Sequence, residues 1–263
     1  MLELKLVAAG SSPLIADEIK SIAQSFLGEE IFIDTALTDD IKSLDEKNFC
    51  VCAVTQAEKL SRVISPEKLF VFDLHPTTKF FLDIAKIPEG AEVYVFNNRL
   101  PYTKLLAQEC RSLGVDKIFF HSIAYDEMPA AEVRDRLQKA RYIIGVDRLV
   151  GENFLFQRYR DCLRPDVKII AGKRAASVAS ASKLLAGIAE FYHAELSTQK
   201  KSREPNPTCG KIIRILKSAS AKAVIGQIGG TSCAEEHFGN VATFDEQLSI
   251  LEYLREKFLL LSA

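Results

Sequence analysis

Leu4-Lys5-Leu6-Val7-Ala8-Ala9-Gly10-Ser11-Ser12-Pro13 is the stretch on which the fold turns. An apolar run ends in a turn of small residues. A proline then falls just inside a helical stretch, where its missing N–H costs nothing. The same succession returns at Val93-Tyr94-Val95-Phe96, followed by Asn97-Asn98-Arg99-Leu100-Pro101. The far ends match as well: Ser65-Pro66-Glu67-Lys68 leads into Leu69, and Arg164-Pro165-Asp166 leads into Val167. Residues 4–86 and 93–191 therefore read as two copies of one pattern, the second with insertions in its loops.

Short runs rich in Val, Ile and Phe alternate with helical segments, the pattern of a parallel sheet covered on both faces. The spacing predicts strands over 4–9, 31–34, 49–54 and 69–72 in the first copy, and over 93–96, 117–120, 142–146 and 167–171 in the second. Helices are expected over 14–27, 39–46, 57–63 and 77–86, then over 101–113, 130–139, 153–162 and 177–198. The predicted fold class is α/β: two Rossmann-like lobes with parallel sheets, related by internal duplication, plus a small, mainly helical tail. Ile87-Pro88-Glu89-Gly90 marks the break between lobes, because Pro and Gly together punctuate a chain. The expected domains are 1–88, 89–196 and 197–263. Within the last, 197–210 is a polar linker, 212–216 and 248–261 are helices, 223–228 is a strand and 229–231 a turn.

Thirty-four basic side chains face 35 acidic ones, a net charge of −1. That balance excludes a global field drawing the chain to nucleic acid or an anionic membrane. Six cysteines form no CxxC pair and no zinc spacing, so neither a metal nor a cofactor is expected. Cys50 and Cys52 alternate in a predicted strand, face the same side, and read as small core hydrophobes. No signal-peptide pattern opens the sequence and no apolar run is long enough to span a bilayer, so a cytoplasmic location is expected.

Ligands of parallel α/β sheets collect beyond the carboxyl ends of the strands, where loops and helix N-termini converge. In the first lobe those ends offer Ser11, Ser12 and His75; in the second, Asn97, Asn98, His121, Asp147, Lys173 and Arg174. The second set is the more polar and basic. Gly10-Ser11-Ser12 exposes amides that suit an anion, or simply makes a tight turn. Asn97 and Asn98 supply amide groups to orient a polar ligand, or serve a left-handed turn. Lys173 and Arg174 suit a carboxylate or phosphate, Arg by its bidentate fork; the alternatives are a solvated loop or an ion pair with Asp147. Asp147 and Arg148 can also pair with each other. His75 and His121 are the strand-end histidines, one per lobe, and both also suit a structural role. His193 and His237 receive no role.

Neither a GxSxG elbow, a Walker loop nor an HExxH helix occurs in the sequence. This tilts the expectation from an enzyme towards a binding module. The segments VYVFNNRLPYTKLLAQECRSLGVDKIFFHSIAYDEMP, RYIIGVD and LRPDVKIIAGKRAASVASASKLL resemble the amino-terminal sensory region of bacterial enhancer-dependent, sigma-N type transcription activators. The features that carry the resemblance are Pro88-Glu89-Gly90, Val95, Asn97-Asn98, Leu113-Gly114-Val115-Asp116, Tyr125, Pro129 and Lys173-Arg174. His75-Pro76 departs from it, since that family commonly has an arginine there. Residues 211–239 faintly resemble the opening of a PAS domain, and no ATPase motif follows.

The resemblance implies a two-lobed effector-binding module that acts through fused or separate transcription-regulator domains. The expected function is thus ligand sensing: a small polar or anionic metabolite binds between two α/β lobes, in transcriptional control or signal transduction. The expected partner is that small-molecule effector, with no direct nucleic acid or membrane contact, and a homodimer is compatible with the sequence. The competing expectation is a two-lobed enzyme acting on a nucleotide or sugar-phosphate.

Overall fold

The structure, a computed structural model, describes residues 4–45, 48–151, 154–198, 206–226 and 243–263. The chain runs β1 (Lys5–Gly10), α1 (Pro13–Leu27), β2 (Ile33–Leu37), β3 (Asn48–Ala53), α2 (Val54–Leu60), β4 (Leu69–Phe72), β5 (Leu74–Pro76) and α3 (Thr78–Ile84). It continues through β6 (Glu92–Asn97), α4 (Leu100–Ser112), β7 (Phe119–Ala124), α5 (Ala130–Lys139), β8 (Tyr142–Val146), α6 (Asp147–Val150), α7 (Leu155–Tyr159) and β9 (Lys168–Gly172). It closes with β10 (Arg174–Ala176), α8 (Val178–Thr198), α9 (Pro207–Gly226) and α10 (Phe244–Leu261).

The two copies become two four-stranded parallel sheets of the same order, β2-β1-β3-β4 and β7-β6-β8-β9. The α/β class and the two Rossmann-like sheets are as the sequence predicts. The compact units, however, are Met1–Leu74 with Ala176–Ala263, and His75–Ala175. They do not follow boundaries at 88 and 196. The helix that follows β4, α3, packs on the second sheet: Phe80 and Ile84 share a core with Val93, Val95, Leu106, Tyr142 and Ile144. The helix that follows β9, α8, packs on the first: Leu184, Leu185, Ile188 and Tyr192 share a core with Leu6, Ile19, Val51 and Phe72. Each unit is thus completed by the helix that trails the other unit's last strand. Ile87–Gly90 is a turn within the second unit and not a domain border.

The chain crosses between units twice, through β5 and β10, which pair as a two-stranded sheet. In the first unit the Ser177 N–H donates to the Asp73 carbonyl (2.8 Å), and in the second the Thr77 N–H donates to the Lys173 carbonyl (3.0 Å). Paired positions whose numbers rise on one strand and fall on the other define an antiparallel ribbon.

The tail is a structural layer of the first unit. Leu216 and Ala219 of α9, with Leu251, Leu254 and Phe258 of α10, are buried in the same core as α1 and α8. Side chains close both helix starts. Asn206 Oδ1 accepts from the Thr208 and Cys209 N–H groups, and Thr243 and Glu246 form a reciprocal capping box. Buried Gln247 then bonds both polar groups of the Asn206 backbone, at 3.0 and 3.1 Å. No PAS-like strand forms at 223–226, which is the last turn of α9. Residues 227–231 of that expectation, with Cys233 and His237, lie outside the described residues.

Two further expectations change. Residues 38–45 are turn and irregular chain, not the helix expected over 39–46. The Thr38 N–H is held by the Gly10 carbonyl, Thr38 is buried, and Ile41 and Leu44 pack against Ala9, Cys50, Cys52, Leu60 and Ile64. The second strand of the second copy lies at 119–124 and not 117–120, because its pairing with β6 runs from Glu92↔Phe119 to Asn97↔Ala124.

Close approach of α8 to the first sheet depends on Gly187. A Cβ built there would lie 2.3 Å from the Phe70 ring. Gly187→Ala is expected to destabilise the protein by about 1–3 kcal/mol. Phe70→Leu should relieve part of that collision, so the double variant loses less than the sum of the singles. Denaturant titration of the four proteins measures this, and strict additivity would show that the two residues do not meet.

Candidate functional site

At the carboxyl end of the first sheet, Gly10-Ser11-Ser12 turns tightly into α1. A Cβ on Gly10 would sit 2.3 Å from the Ala16 nitrogen, so the helix lies directly against the strand end. The Ser12 hydroxyl is already used as the helix cap, accepting from the Ile15 N–H (3.4 Å), while Ser11 is exposed. The tight-turn reading accounts for both residues. Two hollows in this unit lie elsewhere. One of about 280 Å³ is lined by Lys5, Phe32, Tyr192 and Lys211, and an open one of about 400 Å³ lies under the 40–45 segment beside β2.

The second unit gathers more polar groups at its strand ends. Asn97 ends the central strand β6 and is only 5% exposed. Its Oδ1 accepts from the N–H groups of Asn98 (2.8 Å) and Arg99 (3.4 Å), which fixes the orientation of the amide. The Asn97 NH2 makes no hydrogen bond with any described residue. Arg99 is the N-cap of α4 but supplies no side-chain cap. That duty falls to a distant residue: Glu127 Oε2 accepts from the Leu100 N–H, 27 positions earlier, at 2.8 Å.

Glu127 arrives there because the turn after β7 is laced onto the turn after β6. The Tyr125 N–H donates to the Asn97 carbonyl (3.0 Å) and the Asp126 N–H to the Asn98 carbonyl (3.1 Å). Tyr125 stacks on Phe96, 5.1 Å between ring centres, and packs against Phe154 at 4.7 Å. Burial, with the negative charge of Asp126 beside it, raises the Tyr125 phenol above its ordinary value, so it stays a neutral hydroxyl. Asp147 and Arg148 open α6 at the end of β8.

Lys173 and Arg174 lie on the second crossing strand or just before it. The Arg174 guanidinium sits over the Tyr102 ring of α4, 5.4 Å from its centre. Lys173 is exposed and in no ion pair with a described residue. His75 lies on the first crossing strand, its Nδ1 3.7 Å from Glu109 Oε1 of α4. Both crossing strands therefore meet α4, the helix whose first turn holds Glu127.

His121 does not occupy a strand end. With β7 running to Ala124, it sits in mid-strand, stacked on Tyr94 at 5.0 Å and 3.8 Å from Glu92 Oε1. The residues that do follow β7 are Tyr125, Asp126 and Glu127; the sequence reading named Tyr125 only within the family resemblance and none of the three as a site residue. Their signal was there in the alternation of Phe119, His121 and Ile123 with Phe120, Ser122 and Ala124, which extends the strand four residues further.

Chemically the second rim offers donors: one amide NH2, one helix-terminal N–H, the exposed Arg99 guanidinium and the Lys173 ammonium. Such a set suits carboxylate or phosphate oxygens. No group of three or more metal-ligating side chains occurs among the described residues. No protein-family model, no curated protein and no solved structure matches the chain.

Four of the thiols are core residues. Burial pushes Cys50, Cys52, Cys110 and Cys209 from an ordinary 9.0 up to about 12. Iodoacetamide at pH 8 is therefore expected to leave these four unmodified in the native protein and to alkylate them after unfolding, as read by mass spectrometry. Their folded values lie above their unfolded ones. The stability they contribute is thus complete below about pH 9 and is lost as pH rises towards 12. Denaturation midpoints across that range test the sign.

Proposed function

We propose that this chain is a ligand-sensing regulatory module whose second unit receives a small polar or anionic metabolite at the rim formed by Asn97, Asn98, the first turn of α4 and Lys173. One observation carries the reading. The chain enters and leaves the second unit through a single antiparallel ribbon, and that ribbon's residues His75 and Arg174 rest on α4, the helix that presents the anion-suited N-terminus. A ligand held at the rim therefore acts on α4 and on the strand that continues, two residues later, into α8. From α8 the effect reaches α10, which packs along it in the first unit. Such a ligand moves an equilibrium only by binding one conformation more tightly than the other.

The resemblance to the sensory region of enhancer-dependent activators supports the same reading and suggests the output: transcriptional control, through fused or separate regulator domains. A cytoplasmic setting follows from that output. No helix among the described residues is long and apolar enough to cross a membrane.

A thermal-shift panel of carboxylates, phosphates and nucleotides tests the proposal. A true effector at one hundred times its dissociation constant should add about 2.7 kcal/mol of stability. Lys173→Ala should cut that gain while leaving the unliganded melting temperature nearly unchanged, since the side chain is exposed and in no ion pair with a described residue. A panel in which no compound shifts the transition would overturn the sensing reading.

A further inference from the structure

We propose that the hollow beneath the amino ends of β1 and β2 is a binding site for a small monocarboxylate with an apolar body, a short-chain or aromatic acid. All the residues that line it belong to the first unit, so it is independent of the rim assigned above.

The sequence brings apolar and charged groups together here by strand alternation. At the start of β1, Leu4 and Leu6 turn into the core and Lys5 stays outside. Ahead of β2, Ile31 is buried whereas Phe32 is 62% exposed. The register sets Leu6 against Ile33, so Lys5 and Phe32, one residue back on each strand, share the opposite face. Two helices complete the walls. Tyr192 of α8 is buried, and its hydroxyl accepts from the Leu4 N–H at 3.2 Å, which ties the strand start to the helix. Thr208, Lys211 and Ile212 line the hollow from the start of α9. The space they leave is about 280 Å³, near the lower end of the range of about 300–1,000 Å³ for small-molecule sites.

Two features select the occupant. The first is apolar contact: Leu4, Ile31 and Ile212 are buried residues of the lining, and the Phe32 ring adds an open wall. A single exposed Phe is ordinary on any surface. A ring that walls a hollow offers an apolar body area to bury against. The second is charge: Lys5 and Lys211 line the hollow with one acidic residue, Glu30. Lys211 Nζ is held by that residue, 3.4 Å from its carbonyl oxygen and 3.7 Å from Oε2. Lys5 is exposed and in no ion pair with a described residue. One positive charge is left in excess, which favours an anion over a cation or a neutral molecule of the same shape. A dianion would bring more charge than the hollow answers and lose its hydration against apolar walls. An occupant touches the strand starts and α9 at once, so binding also holds α9 against the sheet.

The test titrates the full chain by calorimetry with hexanoate and with benzoate, each beside its neutral counterpart, hexanol or benzyl alcohol. The methyl resonances of Ile31 and Ile212 serve as local reporters. At least one acid should bind about tenfold or more tightly than its alcohol, with both isoleucines shifting. Lys5→Met should weaken that acid about tenfold, and Thr208→Phe, which fills the hollow from a half-buried position, should abolish binding. Lys5 is exposed, so Lys5→Met keeps the test decisive even where Thr208→Phe does not fold. Lys173→Ala, in the second unit, should bind the acid as the wild type does.

Equal affinity for acid and alcohol would overturn the charge selection, and no binding of either acid would overturn the site. Binding that moves neither isoleucine, or that is unchanged in Lys5→Met, would place the acid elsewhere and overturn it too. A loss in Lys173→Ala with Lys5→Met unaffected would transfer the acid to the rim, overturning this site and leaving the rim standing.

Discussion

A parallel sheet must have both faces covered, because its strands are apolar on both sides and connect only through crossovers. That constraint governs this molecule. The last strand of each sheet, β4 or β9, is followed by a helix that leaves for the other unit, so neither sheet is fully covered by its own stretch of chain. Phe70 on β4 meets Gly187 on α8, and Phe80 and Ile84 of α3 close the core of the second sheet. Two crossings follow of necessity, and they lie side by side as an antiparallel ribbon. The covering helices also explain the tail. Once α8 lies on the first sheet it presents a second apolar face, and α9 and α10 bury it.

The exchange sets where function can reside. Residues on the ribbon belong by contact to α4 and by chain continuity to α8. His75 and Arg174 would be ordinary loop residues in a fold whose lobes were joined once. Here they contact Glu109 and Tyr102 of α4. The polarity of the second rim, against the already capped and tightly packed first turn at Gly10–Pro13, points the same way: the duplicated halves have kept a common frame and diverged in what their strand ends expose.

Strand positions were legible in the sequence because apolar runs bounded by turn residues need nothing but local pattern. Leu69–Phe72 and Tyr142–Val146 fall where the pattern places them. Which sheet a helix covers is not a local property. The periodicity of 177–198 shows an amphipathic helix but carries no sign that its partners are Leu6 and Val51 and not Val93 and Val95, so the unit boundaries were misplaced. The 39–46 helix failed for the opposite reason: Ile41 and Leu44 have helical spacing but reach the core from irregular chain that the Thr38 N–H anchors to the Gly10 carbonyl. Of the site, Asn97 and Asn98 were visible as amides after a strand. Glu127 was not, since its role depends on the register of β7 against β6, and a strand ended four residues early hides it.

Energetic scale decides whether the ribbon can serve as a coupling element. Each of its two flanking backbone bonds, Ser177 to Asp73 and Thr77 to Lys173, contributes about 0.5–1.5 kcal/mol net. A charge-assisted bond from a ligand anion to the α4 terminus or to a buried amide is worth about 1.5–3 kcal/mol. The two are commensurate, so a few such bonds can bias the ribbon. The packed cores are another matter. Each buried Leu, Ile or Phe contributes about 1.5–3 kcal/mol, and the core that holds α8 against the first sheet contains many of them. Under the proposed sensing role, a ligand at the rim would therefore bias the crossing strands without unfolding the core that holds α8.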